Sequence, residues 1–203
     1  MPGASHAEPF ESKGCGVTVS VHTLAIQEVA QARDRIVAVY RDAFGMPPYA
    51  KGKDEVEAFA RFLPEHVGRE GFSLVVAEEE GSGDVLGFAY GHENAPGQGW
   101  HEVVARLAPP QLVSEWLIGS FRLAEMAVVT RAQGRGLGGR LHDRLLAGLP
   151  YRRAVLSTMA ADTNAYRLYR KRGWQVLLDD LLVPGLPRPY RVLGLIVGPE
   201  RGI

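Results

Sequence analysis

The chain has 203 residues, of which 46% are hydrophobic, and its 23 lysines and arginines equal its 23 aspartates and glutamates in number. This length favours one domain, and the apolar content excludes wholesale disorder. The zero net charge argues against a dedicated nucleic-acid binder, which usually carries a basic excess.

Alternating and helical hydrophobic patterns predict the element order β, α, α, β, β, β, α, β, α, β, β. The predicted strands are 16–25, 72–78, 85–91, 121–129, 154–159, 174–183 and 190–197, and the predicted helices are 26–44, 54–67, 136–149 and 164–172. This order indicates an α+β or mixed α/β domain. Residues 92–118 form an unusually long connection between two strands, with a helix expected near 101–107.

Cysteine usage and the ends of the chain bear on its compartment. Cys15 is the only cysteine, which excludes an internal disulfide and a zinc site built from cysteines. No apolar run approaches the ~20 residues of a membrane span, and the N-terminus lacks the pattern of a signal peptide. We therefore expect a cytoplasmic protein without a membrane partner. Residues 1–14 are expected to be a flexible tail and 15–203 a single domain.

A glycine-rich segment, Q-G-R-G-L-G-G-R-L, lies at 133–141 between a predicted strand and a predicted helix. The start of a helix exposes unpaired N–H groups, and glycines let an anion approach them closely, so this segment predicts a phosphate cradle. A tight turn that only packs the helix on the sheet is the alternative. A nucleotide-binding P-loop is excluded, because Gly139 is followed by Arg140 and Leu141 instead of a lysine and a serine or threonine.

A dinucleotide-binding fingerprint is a second alternative. Gly134, Gly136 and Gly139 match G-x-G-x-x-G, and Asp162 follows the next strand, where a ribose-binding acid is expected. Four residues, 130–133, separate the strand from the first glycine, whereas that fold has a tighter turn. Only one βαβ unit fits, which argues against the alternative of a nicotinamide dinucleotide enzyme.

A third interpretation accounts for both the glycine-rich segment and a segment downstream of it. A-V-V-T-R-A-Q-G-R-G-L-G-G-R-L resembles the acetyl-CoA signature of the GNAT superfamily of N-acetyltransferases, with Gln133, Gly136 and Gly138 in the motif positions. Downstream, D-T-N-A-Y-R-L-Y-R-K-R-G-W is similar to a second GNAT motif. Its matching residues are Ala165, Leu168, Tyr169, Gly173 and Trp174, the last replacing a phenylalanine. The family's asparagine slot holds Asp162, while Asn164 lies two positions on.

The resemblance implies a mostly antiparallel, twisted sheet of about seven strands flanked by helices, with acetyl-CoA as cosubstrate and no metal. The implied cofactor contacts are Met126, Ala127 and Val128 through the backbone, the loop residues Gln133, Gly134, Arg135, Gly136, Leu137, Gly138 and Gly139, and either Asp162 or Asn164. Arg140 and the basic run 170–172 add positive charge, although that run is equally explained as a solvated helix end.

Two side chains are predicted to carry the chemistry. An alkylamine is mostly protonated at neutral pH, so its attack on a thioester calls for a base or a water relay. Glu125 lies in a strand pattern between apolar neighbours and is the candidate base, with a salt bridge as the alternative role. Tyr169 matches the family's general acid, and a backbone N–H of Met126 or Ala127 is a candidate oxyanion donor.

The acceptor is not specified beyond an amine. In the resembled fold, the first two helices and the 92–118 connection line its side, so Tyr49, Trp100, Trp116, His92, Glu93 and Glu102 are candidates for an acceptor pocket. A small satellite core or a dimer surface is the alternative for the tryptophans. A non-catalytic acyl-CoA-binding module also stays open, as does the choice between monomer and homodimer.

Overall fold

A computed structural model describes residues 18–183 and 188–197. Its strands are β1 (Val19–Thr23), β2 (Ser73–Glu79), β3 (Val85–Asn94), β4 (Ser120–Val128), β5 (Arg153–Met159), β6 (Gln175–Leu181) and β7 (Tyr190–Ile196). Its helices are α1 (Ile26–Phe44), α2 (Lys53–Val67), α3 (Gly99–Leu107), α4 (Pro110–Leu112), α5 (Leu137–Leu146) and α6 (Asn164–Lys171). The predicted tail, residues 1–14, lies outside the described residues.

The strands form one seven-stranded sheet in the order β1-β2-β3-β4-β5-β7-β6. β4 and β5 run parallel, whereas the pairs β1/β2, β5/β7 and β6/β7 are antiparallel. The order of elements and the mostly antiparallel sheet confirm the predicted fold class.

Helix boundaries follow local chemistry. α1 has its predicted bounds, because Gly45 and the prolines after it follow its last apolar residue. α5 stops at Leu146, three residues before the predicted end, and Gly148 then adopts a positive φ of 70°. Pro64 does not interrupt α2. A proline there removes the N–H that would bond to the Ala60 carbonyl, and the Arg33 guanidinium donates to that carbonyl instead at 2.9 Å.

The chain divides into two compact units. Among the described residues, the first comprises 18–68, Phe72–Tyr90 and Glu125–Leu145, and the second comprises Arg69–Gly71, Gly91–Ala124, 146–183 and 188–197. β3 and β4 each contribute to both units. The expectation of a single domain over 15–203 stays a prediction.

The first unit has an aromatic core under a tightly packed strand pair. Phe59 stacks on Tyr40 with ring centroids 3.9 Å apart and also contacts Phe88. At Gly87, a Cβ atom would lie 2.8 Å from the Ala127 carbonyl oxygen and 3.0 Å from a methyl group of Leu141. Glycine at this position of β3 therefore lets the backbone of β4 and the side of α5 come close.

The second unit has its own hydrophobic core, which includes the 92–118 connection. Its buried members are Val104, Leu117, Val155, Leu181 and Val192, and Trp100 and Trp116 pack against them. The ring of Trp116 lies against the backbone of β7, because a Cβ atom at Gly194 would be 2.5 Å from it. Trp100 and Trp116 thus belong to a small hydrophobic core, which was the alternative to their lining an acceptor pocket.

Candidate functional site

The glycine-rich segment forms an open loop before α5. After β4, a 3₁₀ turn at Thr130–Ala132 leads into residues 133–136. Gly134 and Gly136 have φ values of 74° and 79°, a left-handed conformation that strongly favours glycine. A Cβ atom at either position would meet nothing within 4 Å. Backbone conformation therefore requires these glycines, whereas packing of the helix does not.

The first turn of α5 presents N–H groups beside this loop. The Arg140 N–H donates to the Gly136 carbonyl at 3.1 Å, which is the first hydrogen bond of the helix. The N–H groups of Leu137, Gly138 and Gly139 precede that bond, so they have no carbonyl of their own helix to bond to. Together with the positive end of the helix dipole, they favour an anion at this point.

Side-chain contacts hold the segment that leads from β4 into the loop. The Gln133 amide Nε2 donates to the Val128 carbonyl at 2.9 Å, and the Thr130 N–H donates to the carboxylate of Asp42 on α1. Arg131 pairs with Asp84 at 3.4 Å. Gln133, predicted as a cofactor contact, thus bonds to the backbone of β4. Asp42 was not predicted from the sequence. Nothing local marks that aspartate, because its partner lies 88 residues away.

The two arginines of the segment differ in their surroundings. Arg135 is exposed at the tip of the loop. Arg140 is partly buried and donates to the Val19 carbonyl on β1 at 3.1 Å. Arg135 therefore remains a candidate phosphate contact, whereas Arg140 ties the helix to the edge of the sheet.

The predicted base lies on the buried face of β4. Glu125 alternates with Leu123 and Ala127, whose side chains are 3% and 5% exposed, and is itself partly buried. Met126 and Val128 are partly buried at the alternate positions. The register of β4 with β5 joins Phe121 to Ala154 and Arg122 to Val155, at the beginning of both strands.

The polar residues before α6 have distinct roles. Thr163 caps the helix, its Oγ1 accepting from the Tyr166 N–H at 3.1 Å. Asp162 pairs with Arg167 at 2.8 Å, and hydrogen bonds from that guanidinium hold the pKa of Asp162 below its ordinary value. Asn164 is exposed at the first position of the helix. Asn164 is therefore the better placed of the two candidates for a cofactor contact.

Tyr169 lies on the buried side of α6. Its side chain is 6% exposed, and its ring meets Trp174 edge-on with centroids 5.8 Å apart. Arg170 donates to the Trp174 carbonyl at 2.9 Å and so fastens the end of the helix. That contact gives Arg170 the structural role that a basic residue often has at a helix C-terminus.

The polar candidates of the 92–118 connection are engaged with protein groups. The Trp100 indole N–H donates to Ser157 Oγ at 2.9 Å, and the Arg122 guanidinium lies 4.8 Å from the Trp100 ring. Glu93 accepts from the Tyr151 hydroxyl at 3.2 Å, and Glu102 accepts from the Gly97 N–H at 2.7 Å. These contacts favour a structural role.

His92 is held neutral, so it does not suit recognition by charge. Its side chain is fully buried, and its Nδ1–H donates to the Glu93 carbonyl at 2.7 Å. Its Nε2 then accepts from Arg69 at 3.1 Å. Burial, together with the charges of Arg122 and Arg69, lowers the pKa of His92 from 6.5 to about 4, against the raising effect of the Glu93 hydrogen bond.

This lowered pKa predicts a loss of stability in acid. Above about pH 6.5 the imidazole is neutral in both states, whereas between pH 6.5 and 4 only the unfolded chain binds the proton. The free energy of unfolding should therefore fall by up to about 3 kcal/mol as the pH drops through that window. The measurement is urea unfolding of wild type and His92→Gln at several pH values. The variant should lose this part of the slope, and His22→Gln, at a partly exposed position, should keep it.

The predicted site residues fall into two groups. Glu125, Met126–Val128 and Gln133–Gly139 belong to the first unit, and Asp162, Asn164 and Tyr169 belong to the second. Within residues 18–183 and 188–197, no group of three or more histidine, aspartate or glutamate side chains is arranged to hold a metal ion. None of the helices described above is long and apolar enough to cross a membrane.

The chain is similar in sequence to known acetyltransferases. A sequence model described as "Acetyltransferase (GNAT) family" matches residues 33–174. A GCN5-like protein acetyltransferase of Mycobacterium tuberculosis, Rv2170, is 39% identical over 130 residues, which cover 60% of this chain. Those residues span 63% of the relative's length, so this chain matches less than two thirds of it.

Solved structures show the same fold at low identity. PH1933 from Pyrococcus horikoshii OT3 has a TM-score of 0.62 and 17% identity, covering 89% of this chain and 99% of that one. The ribosomal-protein-S18-alanine N-acetyltransferase of Escherichia coli has a TM-score of 0.59 and 14% identity, covering 91% and 99%. Both likenesses concern the fold alone.

Proposed function

The chain belongs to the GNAT family of acetyltransferases, and we propose that it transfers the acetyl group of acetyl-CoA to a primary amine. The observation that carries this proposal is the open loop before α5. Gly134 and Gly136 are left-handed although nothing packs against them, as expected of a backbone shaped for a ligand. The residues present therefore fit a diphosphate.

The cofactor contacts follow from the same loop. We propose that the N–H groups of residues 134–139 bind the diphosphate, with Arg135 adding charge. The carbonyl groups of Ala127 and Val128 are oriented toward β3 and Gln133, which leaves Met126 as our choice for the amides of the pantetheine arm. Asn164 is the proposed contact from α6, because Asp162 is paired with Arg167.

Acetyl-CoA supplies an acyl group activated as a thioester. The reaction forms a C–N bond and breaks the C–S bond, while the amine loses a proton and the sulfur gains one. We assign the first proton to the Glu125 carboxylate and the second to the Tyr169 hydroxyl. The partly buried position of Glu125 on a buried strand face and the family-motif register of Tyr169 support these roles.

The acceptor is proposed as a primary amine, free or on a protein. The relative from M. tuberculosis is named a protein acetyltransferase, which supports a protein amine as one substrate class. The cytoplasmic location, the monomeric or homodimeric state and the absence of a nucleic-acid partner stay predictions.

A single glycine tests the proposed cradle. In Gly136→Val, a branched side chain at a φ of 79° strains the loop, and acetyl-CoA affinity should fall about 10- to 100-fold. Calorimetric titration with acetyl-CoA measures the dissociation constant. The matched control is Gly97→Val, since Gly97 also has a positive φ, 86°, and open space around it.

Gly97→Val should keep wild-type affinity. Equal losses in both variants, or no acetyl-CoA binding by the wild type, would contradict the cradle. Thiol release with a panel of amines then tests transfer. Tight acetyl-CoA binding without thiol release for any amine would point to the non-catalytic module instead.

A further inference from the structure

A lysine ammonium lies over two aromatic rings at the end of α1. The Lys51 Nζ lies 4.4 Å from the centre of the Phe44 ring and 4.5 Å from that of Tyr40, and it donates to the Tyr40 hydroxyl. Phe59 stacks on Tyr40, and Tyr49 meets Phe44 edge-on at 4.9 Å. We call Tyr40 and Phe44, the two rings over which the ammonium lies, the aromatic cage.

The cage recognises a cation by its rings and one phenol. In the part of the chain that the structure describes, Lys51 forms no ion pair with a carboxylate, whereas Lys53 two residues on pairs with Glu57. An ammonium group against aromatic faces is a well-defined recognition mode for alkylammonium ligands. Lys51 thus makes the contacts with aromatic faces that a bound alkylammonium group would make.

The backbone that brings Lys51 into the cage is strained. The Lys51 N–H donates to the Phe44 carbonyl at 2.8 Å, and the Ala50 N–H donates to the Met46 carbonyl at 3.0 Å. Between them Ala50 has a φ of 49°, which is unfavourable for a residue with a Cβ atom. Such strain persists where the surroundings impose it, and it clusters at ligand sites and switches.

We propose that the aromatic cage binds the primary alkylammonium group of the acceptor, and that Lys51 occupies it as an internal stand-in that the acceptor displaces. This inference rests on the proposed amine acetylation, whose alkylamine substrate is mostly protonated at neutral pH. It narrows the acceptor to a flexible alkylamine, such as a lysine-like side chain or an alkyl diamine. Lys51 then lowers the apparent affinity, because only the open fraction of the protein is competent to bind.

Removing the stand-in should strengthen binding of a small probe. Ligand-observed NMR titration of the full chain with n-butylammonium, without acetyl-CoA, measures the dissociation constant. Lys51→Ala should bind the probe about tenfold more tightly than wild type. Lys51→Met, which keeps the cage filled, and Lys53→Ala, a matched surface variant, should show no gain. 1-Butanol, a neutral analogue of the probe, should show no gain with any variant.

A second measurement needs no substitution. The ε-methylene protons of Lys51 in wild type should resonate upfield because they lie against aromatic rings. They should move toward ordinary lysine values as n-butylammonium is added, but not with 1-butanol. An unmoved Lys51 signal at saturating probe, or an equal gain for 1-butanol in Lys51→Ala, would overturn the proposal. Acetyl-CoA titration of the same samples reports separately on the proposed function.

Discussion

Replacing Tyr169 with phenylalanine is expected to lower kcat by about 10²–10⁴-fold while leaving the affinity for acetyl-CoA unchanged. Phenylalanine keeps the ring that packs edge-on against Trp174 and removes only the hydroxyl. The leaving sulfur then lacks its proposed proton donor, so breaking the C–S bond becomes harder. Steady-state kinetics with a thiol-detecting reagent, together with calorimetric binding of acetyl-CoA, separates these effects.

The same helix supplies the control for this substitution. Tyr166 lies three residues earlier on α6, is partly buried, and contacts the Arg191 guanidinium at 4.5 Å from its ring centre. Tyr166→Phe should keep kcat within about threefold of wild type, since it removes a hydroxyl to which we assign no chemical role. Equal kcat values for the two variants would contradict the proposed role of the Tyr169 hydroxyl and leave its ring with a packing role only.

Local sequence signals account for the parts of the molecule that were predicted well. The bounds of α1 follow from its apolar spacing and from Gly45 after it, and the family motifs locate the loop at 133–136 before α5. A pattern of this kind needs only neighbours along the chain. The family motif likewise places Tyr169 in α6, where its side chain is buried.

Contacts between side chains and segments far apart in the chain could not be predicted from the sequence. The bond from Arg33 to the Ala60 carbonyl explains why α2 continues through Pro64, and nothing in the segment around Pro64 indicates that arginine. The contact of Lys51 with Tyr40 and Phe44 likewise joins the loop after α1 to side chains of that helix. Such contacts depend on how elements pack, which hydrophobic periodicity does not specify.

Glutamine at position 125 is expected to reduce kcat/KM for the amine by about 10²–10³-fold at neutral pH, with unchanged acetyl-CoA affinity. The amide keeps the size of the carboxylate on the buried face of β4 but does not accept the proton that the attacking nitrogen must lose. Leu123→Met, two residues earlier on the same face of β4, is the control for disturbance of the strand. It should cost less than about threefold, because the volume is nearly conserved.

The pH dependence of the Glu125→Gln enzyme gives a sharper test than the rate at one pH. Without a base, only the free amine reacts, so the rate should rise about tenfold per pH unit until the amine's own pKa, near 10.4 for an alkylamine. At high pH the variant should therefore approach the wild-type rate. A loss of activity that stays constant across this range would instead place Glu125 in the structure of the strand. A loss below about threefold at neutral pH would assign the proton to a water relay that does not need this carboxylate.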